Sequence, residues 1–406
     1  MNIVVQKYGG TSVGSVDKIK AVADKIIKKR AEGFQVVVIV SAMGKTTDEL
    51  LSLAKAISDT PDPREMDMLL TTGEQVAISL LSMALISKGH SAVSFTGHQL
   101  NIQTTSLHQK ARIKDISISR VIEAFEDNKI VVVAGFQGVT DNHEYTTLGR
   151  GGSDTSAVAL AAKLGARCEI YTDVEGIYTM DPRKLTKARK INKISYAEMM
   201  EMASLGAGVM HYRAVEMANK YKIPLYVAST FSEEPGTIIQ FEGEDSMEET
   251  VITGMASNLE DIQVTVINLP SSTGNLYRLF GQLADREVNV DMISHMITED
   301  GKMYVSFTIP KEDLSIAEDI ISNWQQEIPE IKWEINKNIA KISVVGLGMR
   351  THSGVAAGVF KIMAENNIEI KMVTTSEIKI TWVVDSCLEE KVITLIGKGF
   401  GLVTVE

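Results

Sequence analysis

Lys7-Tyr8-Gly9-Gly10-Thr11-Ser12 follows directly on the first apolar run, Ile3-Val4-Val5, and Gly149-Arg150-Gly151-Gly152-Ser153-Asp154 opens a helical pattern far downstream. Each segment places backbone N–H groups that no Cβ shields close to a cation. A polyphosphate needs that combination, and two such loops predict a nucleotide held from two sides. Lys7 is the candidate cation, and Gly9 and Gly10 allow the close approach of backbone to phosphate. Ser153 is expected to cap the second helix, whose first-turn N–H groups would face an anion. Asp154 has two readings: a partner holding Lys7 or water-bound magnesium, or simple complementation of the helix dipole.

These residues need a scaffold that brings strand ends together. Ile3–Val5, Val36–Val40, Val93–Phe95, Ile130–Ala134, Glu169–Thr172 and Leu225–Val227 read as short buried strands. Between them lie amphipathic patterns: one from a Ser15 cap to about Arg30, one from Asp67 to Lys88, and an alanine-rich one from Ser153 to Gly165. Near-continuous apolar strands alternating with helices predict a mainly parallel sheet covered on both faces, a three-layer αβα fold. Ligands then bind at the carboxyl ends of the strands. Those ends are Lys7-Tyr8-Gly9-Gly10, Ser41-Ala42-Met43-Gly44, Gly135-Phe136-Gln137-Gly138 and Thr172-Asp173, all small, glycine-rich or polar. Ser41 can donate to phosphate or substrate from its strand end, or simply cap a helix.

The second half contains a repeat. Thr273-Gly274 through Met292 matches Ser353-Gly354 through Met372 without a gap, pairing Phe280 with Phe360 and Ala284 with Ala364. Each copy reads strand, glycine turn, helix, strand, which predicts two α+β modules of one type. The expected division is a catalytic domain over 1–240, a linker over 241–261, and modules over 262–335 and 336–406. Acidic residues Glu242, Glu244, Asp245, Glu248 and Glu249 read as a solvated charge run in the linker.

Several function classes are disfavoured. The net charge of −11 argues against a nucleic-acid or anionic-membrane partner. Cys168 and Cys387, the 2 cysteines, lack metal-ligand spacing, and the N-terminus does not read as a signal peptide, so a cytoplasmic setting is expected. Gly44-Lys45-Thr46 resembles the end of a Walker A loop, but Ile39 stands where its first glycine is required. Gly346-Leu347-Gly348 lacks the third glycine of a dinucleotide loop and reads as a turn. His211 and His295 read as packing or surface residues.

In order along the chain, Lys7-Tyr8-Gly9-Gly10-Thr11-Ser12, Ser41-Ala42-Met43-Gly44, Thr46-Thr47-Asp48-Glu49-Leu50, Gly73-Glu74, Gly135-Phe136-Gln137-Gly138, Arg150-Gly151-Gly152-Ser153-Asp154-Thr155, Tyr171-Thr172-Asp173 and Tyr178-Thr179-Met180-Asp181-Pro182-Arg183 resemble the aspartokinases of the amino-acid kinase superfamily. The paired repeat resembles their two ferredoxin-like ACT modules, and the length leaves no room for a fused homoserine dehydrogenase. The resemblance implies ATP-dependent phosphorylation of the L-aspartate side chain to 4-phospho-L-aspartate, first step towards lysine, threonine and methionine, with Mg2+ as cofactor. The nucleophile is a carboxylate already ionised at neutral pH, so no general base is needed. Catalysis reduces to positioning and electrostatic stabilisation.

The resemblance also assigns residues. Lys7 and Asp154 are the catalytic pair. Lys7, Tyr8, Gly9, Gly10, Ser41, Thr172, Asp173, Tyr178, Asp181 and Arg183 meet ATP. Glu74 receives the substrate ammonium and Arg150 its α-carboxylate, because a guanidinium grips carboxylate with two bonds; Thr47, Gly151, Gly152 and Ser153 complete that site. Gly208 stands where many relatives carry a lysine.

Effector contacts are expected at Ser271, Gly274, Asn289, Val290, Asp291 and His295 in the first module, and at Gly354, Val355, Ala356, Thr375, Ser376 and Glu377 in the second. Lysine, threonine or both are the expected feedback inhibitors. A homo-oligomer through the ACT modules is expected, and Met247 offers an internal start for a short regulatory subunit of the same gene. The competing readings are a kinase for another acidic amino acid and a non-catalytic amino-acid sensor.

Overall fold

The computed structural model describes residues 2–206, 209–241 and 251–404. Gly208, Met247 and the acidic run from Glu242 to Glu249 lie outside the described residues. Two units are present, Met1–Tyr178 with Lys190–Met247, and Thr179–Arg189 with Glu248–Glu406.

The first unit runs β1 (Ile3–Tyr8), α1 (Val16–Ala31), β2 (Gln35–Val40), α2 (Thr46–Ile57), α3 (Pro63–Ser87), β3 (Ala92–Phe95), β4 (Ile102–Thr104), β5 (Ile113–Ile116), α4 (Ser119–Glu126), β6 (Ile130–Ala134), β7 (Gln137–Val139), β8 (Tyr145–Thr147), α5 (Gly152–Leu164), β9 (Arg167–Thr172), β10 (Ile177–Tyr178), β11 (Lys190–Ile191), β12 (Lys193–Ser195), α6 (Tyr196–Ser204), α7 (Tyr212–Tyr221), β13 (Leu225–Ser229) and β14 (Thr237–Gln240). All six expected strands are present in a sheet ordered β12-β14-β13-β9-β1-β2-β6-β3, in which only the β13–β14 pair is antiparallel. Val4, Tyr8, Val36, Val38, Val40, Ile130 and Val132 pack against Ile19, Val22 and Ile26 of α1 and Ala77, Leu81 and Leu85 of α3. Each fully buried aliphatic contributes about 1.5–3 kcal/mol. Alternation along the strands turns Lys7 and Ile39 to the opposite face, where α5 lies. A second sheet is ordered β5-β4-β7-β8.

Helix starts follow their caps. The Ser15 hydroxyl accepts from Lys18 N at 3.3 Å, as expected. Helix α3 begins earlier than its apolar period suggests, because Asp62 accepts from Arg64 N and Glu65 N with Pro63 at the first position. It is long and apolar enough to cross a membrane, yet Met66, Leu70, Ala77, Ile78, Leu81 and Leu85 are buried in this unit. Helix α5 is capped by left-handed Gly151 (φ +68°), not by Ser153, which sits inside the first turn; its end at Gly165 is as expected.

The second unit contains β15 (Gly254–Asn258), β16 (Asp261–Pro270), α8 (Thr273–Asp285), β17 (Ile293–Ile297), β18 (Lys302–Pro310), α9 (Leu314–Glu327), β19 (Lys332–Asn336), β20 (Ile339–Val345), α10 (Val355–Glu365), β21 (Met372–Thr375), β22 (Lys379–Asp385) and α11 (Glu389–Gly399). Its sheets are ordered β17-β18-β16-β19 and β21-β22-β20-β15. These are the two βαββαβ modules expected from the repeat, with one exchange. The strand slot filled by β19 in the first module is filled in the second by β15, antiparallel to β20. The stretch expected to be linker therefore supplies a strand, and the first module is an insertion within the second. The continuous 1–240 domain is also interrupted. Residues 179–189 belong to the second unit: Thr179 Oγ1 donates to Leu402 O at 2.6 Å, Met255 N donates to Thr179 O at 2.7 Å, and Met180 and Leu185 are buried in its core.

Candidate active site

Lys7 Nζ lies 2.6 Å from Asp154 Oδ1, with the two side chains 13% and 9% exposed. Strand β1 and the first turn of α5 thus meet in an ion pair at the carboxyl end of the sheet. Gly10 is required by close approach: a Cβ there would lie 2.7 Å from Ala42 O, and Gly44 N donates to Gly10 O at 3.0 Å. The loops after β1 and β2 are locked together, and Ser41 N donates to Tyr8 O at 3.2 Å. Gly135 plays the same part after β6, where a Cβ would come within 2.8 Å of Ser153 Oγ. Lys7, Gly9, Gly10, Ser41, Ser153 and Asp154 therefore share one end of the sheet. First-turn N–H groups of α5 have no acceptor within the helix and carry the positive end of its dipole.

Behind Lys7, on the α1 face, lies a buried polar ladder. Tyr8 stacks on Tyr171 with centroids 5.0 Å apart, and Tyr8 OH donates to Gln6 Oε1 at 3.2 Å. Glu169 accepts from Gln6 Nε2 and from Tyr171 OH at 2.8 and 3.0 Å. The ladder ties β1 to β9, and with it Lys7 to Thr172 and Asp173 at the end of β9. Thr172 Oγ1 donates to Asp173 Oδ1 at 3.0 Å, and Tyr178 OH donates to Glu175 at 3.4 Å.

Glu74 is buried in α3 at 3% exposure. Its Oε1 accepts from Ala42 N at 3.2 Å, while Oε2 is buried with no hydrogen-bond partner. Burial pushes its carboxyl up to about 8, and backbone N–H bonds pull in the other direction. A buried acceptor with a vacant oxygen suits an incoming ammonium. Thr47 lies half-buried in the first turn of α2, and Arg150 is exposed, with no carboxylate of the described residues paired to it. Asp181 and Arg183 fall in the 179–189 segment of the second unit, where Arg183 grips Asp181 and lowers its carboxyl below the usual range.

His211, Asp67 and Arg213 are neighbours of these loops without a sequence signal. A Cβ on Gly151 would overlap the His211 ring. Burial lowers His211 below its usual value despite Asp154 nearby, so the imidazole is a neutral packing group at neutral pH.

In the first ACT module two of the expected effector groups, Gly274 and Asp291, already have partners within the unit. Gly274 N donates to Ser272 Oγ at 3.1 Å, capping α8, and Asp291 is paired with Lys341 of β20. Lys341 is 4% exposed and also pairs with Asp261. In the second module left-handed Gly354 caps α10 without a side-chain bond, and Glu377 pairs with Arg350 at 3.4 Å. Removing the Lys341 charge as Lys341→Met strands Asp261 and is expected to cost about 3–5 kcal/mol, the range for breaking a buried pair. Urea unfolding of the wild type and variant measures that loss.

The profile of the amino acid kinase family matches residues 2–229, and an ACT domain profile matches residues 342–400. Aspartokinase 2 of Bacillus subtilis (strain 168) is 53% identical over 386 residues, covering 95% of this chain and 94% of that protein. The chain belongs to the aspartokinases. An aspartokinase of Geobacillus stearothermophilus is 49% identical over 404 residues, covering 99% and 98% of the two chains. The crystal structure of E. coli aspartokinase III with aspartate and ADP has the same fold, with a TM-score of 0.85 over 98% of this chain and 99% of that one at 24% identity. As an aspartokinase the enzyme is an ATP-dependent kinase of L-aspartate whose ACT pair serves feedback control, and the fold and reaction expected from the sequence stand. Among the described residues no group of three or more His, Cys, Asp or Glu side chains could cage a metal. Asp154 is the buried carboxylate at the end of the sheet that carries Lys7.

Proposed function

We propose the following division of labour for phosphoryl transfer. A side-chain oxygen of aspartate forms a bond to the γ-phosphorus of ATP as the bond to the β,γ-bridging oxygen breaks, and ADP leaves with that electron pair. Lys7 neutralises charge on the transferring group, and Asp154 fixes Lys7. Gly9, Gly10, Ser41 and the first turn of α5 cradle the phosphates. Thr172, Asp173 and Tyr178 serve the nucleotide. Magnesium, when bound with ATP, would offset phosphate charge, and holding it through water is the alternative role of Asp154 to fixing Lys7. Glu74 takes the substrate ammonium and Arg150 its α-carboxylate, with Thr47 beside them.

The observation that carries this reading is the buried Lys7–Asp154 pair at the start of α5, beside loops that only glycine permits. The test combines ATP, magnesium and L-aspartate with hydroxylamine to trap the acyl phosphate. Hydroxamate with aspartate is expected. A preference for glutamate would favour the kinase of another acidic amino acid, and no product with either would favour a sensor.

Regulation is proposed through the ACT pair, with lysine alone or with threonine as inhibitor. Strand β17 is an unpaired sheet edge exposing Ile293, Met296 and Ile297, a surface suited to joining a second copy. Millimolar lysine, with or without threonine, is expected to lower initial rates and shift Tm; unchanged values with both would remove this assignment. A short subunit starting at Met247 would carry β15 and so both complete sheets. A single full-length band on expression of the native gene would rule it out.

A further inference from the structure

Asp67 is fully buried in α3, and none of the roles above uses it. Its carboxylate is saturated: Thr147 Oγ1 donates to Oδ1 at 2.6 Å, Gln109 N donates to both oxygens at 3.2 and 3.1 Å, and His108 Nδ1 lies 2.7 Å from Oδ2. Charge-assisted bonds of this kind are the strong ones, and a buried carboxylate is tolerated only when they are all made. The groups it gathers flank one stretch of chain. Thr147 ends β8 three residues before Arg150, and Gly149 lies against Gln109, since a Cβ on Gly149 would come within 2.8 Å of Gln109 O. Arg213 closes the other side, donating to Leu148 O at 2.7 Å and to Ala111 O at 3.0 Å. Residues 147, 148 and 149 are thus fixed one after another, and the exposed Arg150 follows directly.

The same helix carries Glu74. Asp67 and Glu74 are seven residues apart, two turns on one face of α3, about 10 Å along the axis. Glu74 is itself tied to the β2 end through Ala42 N. We propose that Asp67 is a positioning residue that sets the distance between the ammonium receptor Glu74 and the carboxylate reader Arg150. It clasps the chain leading to Arg150 onto the helix that carries Glu74. Specificity for an α-amino acid then resides partly in a carboxylate that never touches the substrate. The inference rests on the proposed reading of Glu74 and Arg150 as the two ends of the aspartate cradle.

The test is a split between the two substrates. Thr147→Val deletes one clasp bond, and Asp67→Asn keeps the shape but removes the charge. Each is expected to raise KM for aspartate about tenfold, the effect of losing a hydrogen bond to a charged group, while KM for ATP stays within about twofold. Thr147→Ser restores the hydroxyl and the wild-type KM. Near-UV circular dichroism and Tm confirm that the variants fold, and Thr147→Val carries the test if Asp67→Asn does not fold. Arg150→Ala is run beside them. If it raises KM for aspartate while folded Thr147→Val leaves it unchanged, the clasp is overturned and the Arg150 reading survives. A parallel rise in both KM values marks a merely structural role and also overturns the clasp. If Arg150→Ala leaves KM for aspartate unchanged, the reading of Arg150 fails and the clasp fails with it.

Discussion

Lys7→Met is expected to lower kcat by about 10³-fold while leaving KM for ATP within a few-fold. Removal of one preorganised charge donor aimed at developing charge costs about 10²–10³ in kcat. A full cation in a shielded site belongs at the upper end, since Lys7 is only 13% exposed. Methionine keeps the length of the stem, so the change isolates charge from packing. It also leaves Asp154 buried without its partner, which destabilises the fold by about 3 kcal/mol on the scale of broken buried pairs. The two effects separate in Lys7→Met/Asp154→Asn. The double variant removes the stranded charge and regains stability, but not the cation. Chemical denaturation is expected to show recovery in the double variant, and the hydroxamate assay to show none. A Lys7→Met enzyme with near-normal kcat would move the catalytic cation elsewhere.

The parallel sheet was legible because β2, β6 and the first half of β1 are nearly continuous apolar runs, largely buried. The crowded carboxyl end of the sheet was legible for a related reason: Gly10 and Gly135 admit backbone and side-chain atoms that any Cβ would displace. Local signals failed where two of them competed. Ser153 is a good cap by type, but left-handed Gly151 ends the preceding turn and takes the position. Asp62-Pro63 started α3 a turn before the apolar period did. The strands of the small sheet are three or four residues long, too short for a period to show.

Non-local exchanges left no trace in the sequence pattern. Nothing near Gly254 says that β15 completes the sheet of β20, and nothing near Asp181 says that its segment is fastened through Thr179 to Leu402. Asp67 was missed for the same reason: its partners His108 and Thr147 are 41 and 80 residues away. Glu74 was found only through the resemblance, since its burial and its vacant oxygen depend on how the β2 end meets α3.

KM for aspartate is expected to fall about tenfold per pH unit between about pH 6.5 and 8 and then level off, and Glu74→Gln is expected to abolish that slope. With its carboxyl pushed up to about 8 by burial, Glu74 holds a proton in the free enzyme across this range. An unfolded chain would already have lost that proton above about pH 4.3. The folded state therefore binds the extra proton, and the residue's contribution to stability falls as pH rises from there to about 8. An aspartate ammonium beside the carboxylate favours the ionised form, so binding expels the proton, and each unit of pH below 8 costs about tenfold in affinity. Saturating magnesium and ATP, and a lower limit near pH 6.5, keep nucleotide titration out of the profile. Glutamine keeps the shape and the bond from Ala42 N but cannot become an anion. Its KM is expected to be level with pH and higher at pH 8 by about 10–100-fold, the loss of a charge-assisted bond. Stability supplies the opposite sign. Without substrate, Glu74→Gln is expected to melt higher than the wild type at pH 8.5, where the wild type must bury a charge, and close to it at pH 5. A wild-type KM that is level over this range, together with unchanged melting in the variant, would place the substrate ammonium on another acceptor.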